Sequence, residues 1–221
     1  MLKLAVFDLD GTLKVERDPY VYLHRCLGVM AEAEVITAAG LSGELAYEDW
    51  LRADAELWRG TSRATLEQFL RADAYIPGAR EAVRALQAHG VEIAIISSGL
   101  LLHAEMVAAE LGIAHFCGNV LGFNGGDAPA VTGEVKATAP IHAKGELMAQ
   151  LQTALGVWPD ETLAVGDSRS DLPLFARAAV RVAVAPHPPE VGDAVDLVLP
   201  DLRELLPRLR AFVPRWFLST D

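Results

Sequence analysis

The stretch "LAVFDLDGTL", Leu4 to Leu13, decides how this chain is read. It begins as an apolar run suited to a buried strand and ends on two carboxylates two residues apart, Asp8 and Asp10, followed by Gly11 and Thr12. Ionised carboxylates that close repel each other, and burial raises the cost. A bound cation is the simplest offset. With period two the pair shares a face if the chain stays extended, while Gly11 implies a turn; either way both carboxylates reach the end of the strand. One can act as nucleophile and metal ligand, the other can pass a proton to and from a leaving oxygen. A lone D-x-D is more often a capped turn, so the assignment depends on what else the chain brings to the same edge.

Four further apolar runs, "VEIAIISSG", "TLAVGDS", "VRVAVAP" and "DLVLP", end in Gly, Asp, Ser or Pro and predict buried parallel strands. Helical patterns lie between them: "GAREAVRALQAHG" from Gly78, "LLHAEMVAAELG" from Leu101 and "KGELMAQLQTALG" from Lys144. The alternation predicts an α/β protein with a doubly wound, Rossmann-like parallel sheet whose strand ends share one ligand-binding edge. Residues 14–75 break the pattern with "DPYVYLHRCLG", "AEAEVITAAG", "AYEDWLRADAELWRG" and "TSRATLEQFLRADA", all helical. Asp18-Pro19 starts the first, Gly40 and Gly43 mark a turn, and Thr61 caps the fourth. The expected division is a core of residues 1–13 and 76–221 with a helical cap, 14–75, inserted beside Asp8 and Asp10. A Gly-rich, insertion-like stretch, "FCGNVLGFNGGDAPAVTGEV", predicts a β-hairpin or a pair of short strands around Asn124-Gly125-Gly126.

Composition narrows the function classes. With 221 residues, 52% of them hydrophobic, the chain can bury a sizeable core. A net charge of −11 argues against general nucleic-acid binding, which needs a basic footprint. No apolar run approaches the ~18 residues of a membrane span, and the N-terminus lacks a signal-peptide pattern. Cys26 and Cys117 stand in unrelated contexts and read as reduced thiols. The expectation is a cytoplasmic protein with no membrane or nucleic-acid partner. His24, His89, His103, His115, His142 and His187 show no ligand-like grouping and receive no role. The tail "PRWFLSTD", with Trp216 and Phe217, suits docking on the core or a dimer contact, so the oligomeric state stays open.

Three other segments converge on the edge that holds Asp8. In "IISSG", Ser97, Ser98 and Gly99 either cap a turn or hold an oxyanion with hydroxyl and backbone N–H groups. "AVGDSRSDLPLF" places Asp167 at a strand end and Asp171 four residues later, where it is either a helix N-cap or an outer support of a metal site. Lys144 opens a helix, a poor place for a cation unless an anion is bound there. Oxygen ligands favour Mg²⁺ over zinc. Mg²⁺, Lys144 and Ser97 on one edge describe phosphoryl-transfer chemistry.

With D-x-D-G-T at Asp8–Thr12, then Ser97, Lys144 and "GDSRSD" carrying Asp167 and Asp171, the sequence resembles the haloacid dehalogenase-like phosphohydrolases. It is most similar to their phosphoserine phosphatase-like branch, through "SGELAYEDWL", "YIPGAREAVRAL", "AKGELM" and "VGDSRSDLPLF". The resemblance implies that Asp8 attacks phosphorus to form an aspartyl-phosphate, while Asp10 protonates the departing alcohol and then activates water. It implies Mg²⁺ held by Asp8, the Asp10 backbone carbonyl and Asp167, with Asp171 behind them. It also implies phosphoryl oxygens held by Ser97, with Ser98 beside it, and by Lys144, which orients Asp8. Asp10 favours an alkoxide leaving group over a halide. The branch's cap arginine aligns with Asp54, near Arg52, and its cap glutamate with Arg17 or Glu16; Ser98 and Ser170 replace a usual Gly and Asn. Trp50, Trp58 and Tyr47 either suit a less polar leaving group or pack the cap. The expected function is a Mg²⁺-dependent phosphatase for a small phosphorylated metabolite, phosphoserine being one candidate. A phosphotransferase and a phosphate- or partner-binding protein without turnover are the alternatives.

Overall fold

β1 (Leu4–Phe7) is buried at every residue, which explains its unbroken apolar sequence. Leu4 and Val6 enter the hydrophobic layer on one face of the sheet, Ala5 and Phe7 the layer on the other. The structure, a computed structural model, describes residues 1–216. After β1 come α1 (Pro19–Leu27), α2 (Met30–Ser42), α3 (Tyr47–Glu56) and α4 (Arg63–Ala72), with no strand among them. The chain continues through α5 (Ala79–Ala88), β2 (Glu92–Leu100), α6 (Leu101–Leu111), β3 (His115–Phe123), β4 (Val131–Lys136) and α7 (Lys144–Leu155). It closes with β5 (Thr162–Ser168), α8 (Leu172–Phe175), β6 (Val180–His187), β7 (Leu197–Leu199) and α9 (Leu205–Phe212).

The seven-stranded sheet runs β4-β3-β2-β1-β5-β6-β7, parallel except for the antiparallel β3–β4 pair. This is the expected α/β, doubly wound architecture. Strand order reverses at β1, between β2 and β5, so the crevice where such sheets bind ligands opens beside Asp8. One layer, from Val83 and Leu86 of α5 through Val107 of α6 to Leu209 of α9, covers one face; Met148 of α7 and Leu174 of α8 anchor the other.

The helices after β1 have their own core, built on Tyr20, Leu23, Leu51, Trp58, Leu66 and Leu70 and continuous with Leu100, Leu121 and Val131. Two backbone connections join this layer to the sheet and lie side by side. Val15 N–H donates to Ala74 O and Ile76 N–H to Leu13 O, both at 2.9 Å. Lys14 is buried between them, its ammonium on the Asp73 carbonyl and 4.2 Å from the centre of the Tyr75 ring. The β3–β4 hairpin supports the layer from the opposite side: Gly60 N–H donates to Val131 O and Val131 N–H to Thr61 O, each at 2.9 Å.

Three local expectations need correction. The Gly-rich stretch is not an insertion: His115–Cys117 pair in parallel with β2, and only the later part of β3 forms the hairpin with β4. Gly40 lies inside α2 rather than in a turn, and glycine is needed there for packing, since a Cβ would stand 2.3 Å from the Trp50 ring. Thr61 does not cap α4; Ser62 does, its side chain accepting from Thr65 N–H at 3.1 Å. Trp216 is buried against the core, while Phe217 lies outside the described residues. Among the described residues no helix is long and apolar enough to cross a membrane.

Candidate active site

Asp8 follows β1 directly, and its N–H donates to Val165 O of β5 at 2.9 Å, which fixes the first carboxylate to the middle of the sheet. The chain then folds back, Leu13 and Lys14 N–H both donating to Leu9 O at 2.9 Å. Gly11 permits this turn at φ +87°, and any side chain there would collide with Asp167, whose Oδ2 lies 2.4 Å from an ideal Cβ. The turn carries Asp10 away from Asp8 to the end of β2. There Ser97 Oγ donates to Asp10 Oδ2 at 2.9 Å, and His103 Nδ1 stands 3.2 Å from Oδ1.

Asp8 has a different neighbour. Lys144 Nζ, at the start of α7, donates to Asp8 Oδ1 (2.6 Å), Asp171 Oδ1 (2.7 Å) and Ser170 Oγ (3.4 Å). Thr12 Oγ1 adds a long contact to Asp8 Oδ2, 3.5 Å. Lys144 is 1% exposed, yet each of its three N–H groups has an acceptor. Burial alone lowers the Lys144 pKa; Asp171 and Asp8 outweigh it, raise the pKa and hold the ammonium charged. Asp171 Oδ2 accepts from Asp167 and Ser168 N–H, 3.0 Å each, so it braces the end of β5. Arg17 pairs with Asp167 Oδ2 and donates to Ala185 O at 2.6 Å.

Asp8, Asp167 and Asp171 are all buried, and each offers a carboxylate oxygen within 4.8 Å of the other two. Burial and then Asp171 raise the Asp8 pKa well above the usual carboxylate range against the pull of Lys144. Burial and Asp171 likewise push Asp167 up to about 7 despite Arg17. Three buried carboxylates thus face two formal cations, Lys144 and Arg17. This electrostatic deficit and the all-oxygen donor set fit a divalent cation. The carboxylate cluster contains Asp171 and not the side chain of Asp10, which is turned to Ser97 and His103.

Ser97 Oγ donates to Asp10 and accepts from Gly99 N–H at 2.8 Å, so its proton is already engaged. Ser98 Oγ is buried and has no hydrogen-bond partner among the described residues. Asp8, Asp10, Ser97, Ser98 and Lys144 line the floor of a cavity of about 230 Å³; Tyr20 of α1 and Tyr47, Trp50, Leu51 and Asp54 of α3 form its wall. Tyr47 and Trp50 therefore face the cavity, whereas Trp58 is fully buried in the helical layer. Arg52 pairs with Asp49 and Glu16 with Arg25, both outside the cavity lining, while Arg17 is part of it.

Two histidines given no role from sequence have one. His103 contacts Asp10, and His24 joins a buried chain in which Trp58 Nε1–H donates to His24 Nδ1 (3.1 Å) and His24 Nε2 meets Asp54 Oδ1 (3.2 Å). An indole N–H only donates, so Nδ1 is the acceptor and Nε2 carries the proton towards Asp54. The position of His103, one helical turn beyond Ser97-Ser98-Gly99, was the available clue; nothing in the sequence links His24 to Asp54.

Comparison with known proteins agrees with this geometry. The profile of the haloacid dehalogenase-like hydrolases matches residues 5–176. The phosphoserine phosphatase of Wolinella succinogenes is 30% identical over 211 residues, covering 94% of this chain and 100% of that protein. A probable phosphoserine phosphatase of Schizosaccharomyces pombe is 29% identical over 187 residues, 84% of this chain, which spans 62% of that longer protein. A solved structure of a phospho-aspartyl intermediate analogue of phosphoserine phosphatase superposes with a TM-score of 0.77 at 27% identity, covering 94% of this chain and 98% of that one.

Proposed function

The chain belongs to the haloacid dehalogenase-like hydrolases, in their phosphoserine phosphatase-like branch, and is a phosphatase; from that premise we propose how its own residues carry the reaction. Asp8 is the nucleophile. Lys144 holds its carboxylate at 2.6 Å and aims it into the cavity floor, where it attacks phosphorus and forms an aspartyl-phosphate. Asp10 delivers a proton to the departing alkoxide, then takes one from the water that hydrolyses the aspartyl-phosphate. Ser97 and His103 hold its two oxygens and keep it apart from Asp8. Ser98, with an uncommitted hydroxyl on the floor, joins Lys144 as a candidate phosphoryl ligand. Mg²⁺, held by Asp8, Asp167 and the Asp10 backbone carbonyl with Asp171 bracing them, would neutralise charge on the phosphoryl group and relieve carboxylate repulsion. The helical layer, residues 14–75, acts as the cap that supplies the outer wall. The substrate is a small phosphomonoester, with phosphoserine within the class. Two free thiols, Cys26 and Cys117, support a reducing, cytoplasmic setting.

The observation that carries this reading is the separation of two neighbouring carboxylates into different environments, Asp8 on an ammonium and Asp10 on a hydroxyl and an imidazole. Phosphate release from a panel of phosphomonoesters, with Mg²⁺ or with EDTA, tests it in wild type and Asp8→Asn. Release that needs the metal and falls at least about a thousandfold in the variant is expected. An Asp8→Asn protein within tenfold of wild type overturns the reading.

A further inference from the structure

The cavity above Asp8 has two chemically distinct ends. At the floor its two cations are both engaged, Lys144 with Asp8 and Asp171, Arg17 with Asp167 and the Ala185 carbonyl. Among the described residues the outer wall contains no cation: Tyr20, Tyr47 and Trp50 present aromatic rings, and Asp18 and Asp54 present carboxylates. Asp18 is engaged as the N-cap of α1, accepting from Tyr20 and Val21 N–H.

Asp54 is the unusual group. It is 4% exposed, and only its Oδ1 is hydrogen-bonded among the described residues, to His24 Nε2 at 3.2 Å. The chain Trp58–His24–Asp54 fixes the carboxylate in orientation and leaves Oδ2 for the cavity. Asp54 thus lines the cavity with one carboxylate oxygen held by His24 and the other available to accept from a ligand there. Tyr20 belongs to the same cavity wall, its ring stacked on Trp58 at 5.5 Å. Were Asp54 there only to satisfy His24, it would not need a place in the cavity wall among three aromatic rings.

A fixed carboxylate among aromatic faces suits a cation: the anion supplies charge and hydrogen-bond acceptance, the rings a negative face. We propose that Asp54, walled by Tyr20, Tyr47 and Trp50, reads a positively charged nitrogen on the leaving alcohol, so that the preferred substrate is the phosphomonoester of an amino alcohol lacking a carboxylate. This rests on the phosphatase reading above and sharpens it. The P–O bond to the amino alcohol breaks, Asp10 protonates the departing oxygen, and water's oxygen ends on inorganic phosphate; the ammonium is unchanged. A substrate carboxylate at this end would meet Asp54 with no cation to offset it, which selects against phosphoserine.

The test compares kcat/KM for phosphoethanolamine, phosphoserine, glycerol 3-phosphate and para-nitrophenyl phosphate in wild type, Asp54→Asn and Asp54→Arg. Phosphoethanolamine is expected to exceed phosphoserine and glycerol 3-phosphate by at least about tenfold. That ratio should collapse towards one in Asp54→Asn and shift towards phosphoserine in Asp54→Arg. Turnover of the aryl ester with no preference for phosphoethanolamine overturns the inference and leaves the phosphatase reading standing. Failure to hydrolyse any ester overturns the phosphatase reading instead. Ethanolamine binding, followed by tryptophan emission, then judges the wall independently: quenching in wild type but not in Asp54→Asn supports it, and equal or absent quenching overturns it.

Discussion

Asp8 and Asp10, two residues apart in sequence, end in different chemical company because the Gly11 turn sends one to Lys144 and the other to Ser97 and His103. Lys144→Met leaves Asp8 and Asp171 buried without their cation. We expect urea unfolding to show a loss of about 3–5 kcal/mol along with lost phosphate release; a change under about 1 kcal/mol would contradict a structural role for this cation. Gly99 is equally constrained, since a Cβ there would lie 2.4 Å from Asp10 Oδ2. Gly99→Ala should therefore lower kcat at least about tenfold, measured as steady-state phosphate release. The motif residues Asp8, Lys144 and Asp167 were legible because each stands at the end of a strand or the start of a helix, and Asp10 because it follows Asp8 by two residues. Their partners were not. His103 reaches Asp10, and His24 reaches Asp54, only through tertiary packing that no local pattern encodes.

Strands buried on both faces announce themselves as apolar runs, and β1, β2, β5, β6 and β7 follow the sequence closely. β3 was harder to read because it changes role along its length: "HFC" pairs inside the sheet while "VLGF" forms a hairpin arm, with Gly118 and Asn119 between. Asn119 is itself buried and structural, donating to Ser98 O at 2.7 Å and accepting from Ala139 N–H at 3.1 Å. Helix starts are read from residue type, and "TS" before α4 offers two hydroxyls; only the geometry selects Ser62. Ser62→Ala should cost about 1 kcal/mol in thermal or urea unfolding, the usual value of an N-cap, whereas Thr61→Ala should cost clearly less. Equal losses would show that the hydroxyl of Ser62 contributes nothing specific.

The whole molecule places a helical layer over the strand ends, tethered by the antiparallel connections at Leu13–Val15 and Ala74–Ile76 and resting on the β3–β4 hairpin. That layer supplies the cavity wall while the sheet supplies the floor, which in the proposed function puts substrate choice and chemistry on different parts of the chain. The helical character of residues 14–75 was visible in sequence; its support by the hairpin was not, because the two contacting segments are distant in the chain. A cation in the carboxylate cluster would also stabilise the whole fold. At a hundredfold excess over its dissociation constant, Mg²⁺ should add about 2.7 kcal/mol, read as a higher Tm, and Asp167→Asn should abolish the rise. A Tm that ignores Mg²⁺ in wild type would remove the metal from the account.

Trapping the covalent intermediate shows whether Asp8 is the nucleophile. Enzyme turning over a phosphomonoester is quenched in acid, digested, and mapped by mass for one added phosphoryl group. That group is expected on the peptide carrying Asp8, present in wild type and absent in Asp8→Asn. Phosphoryl label on another residue, or rapid hydrolysis with no trapped label under conditions that preserve acyl phosphates, would contradict it.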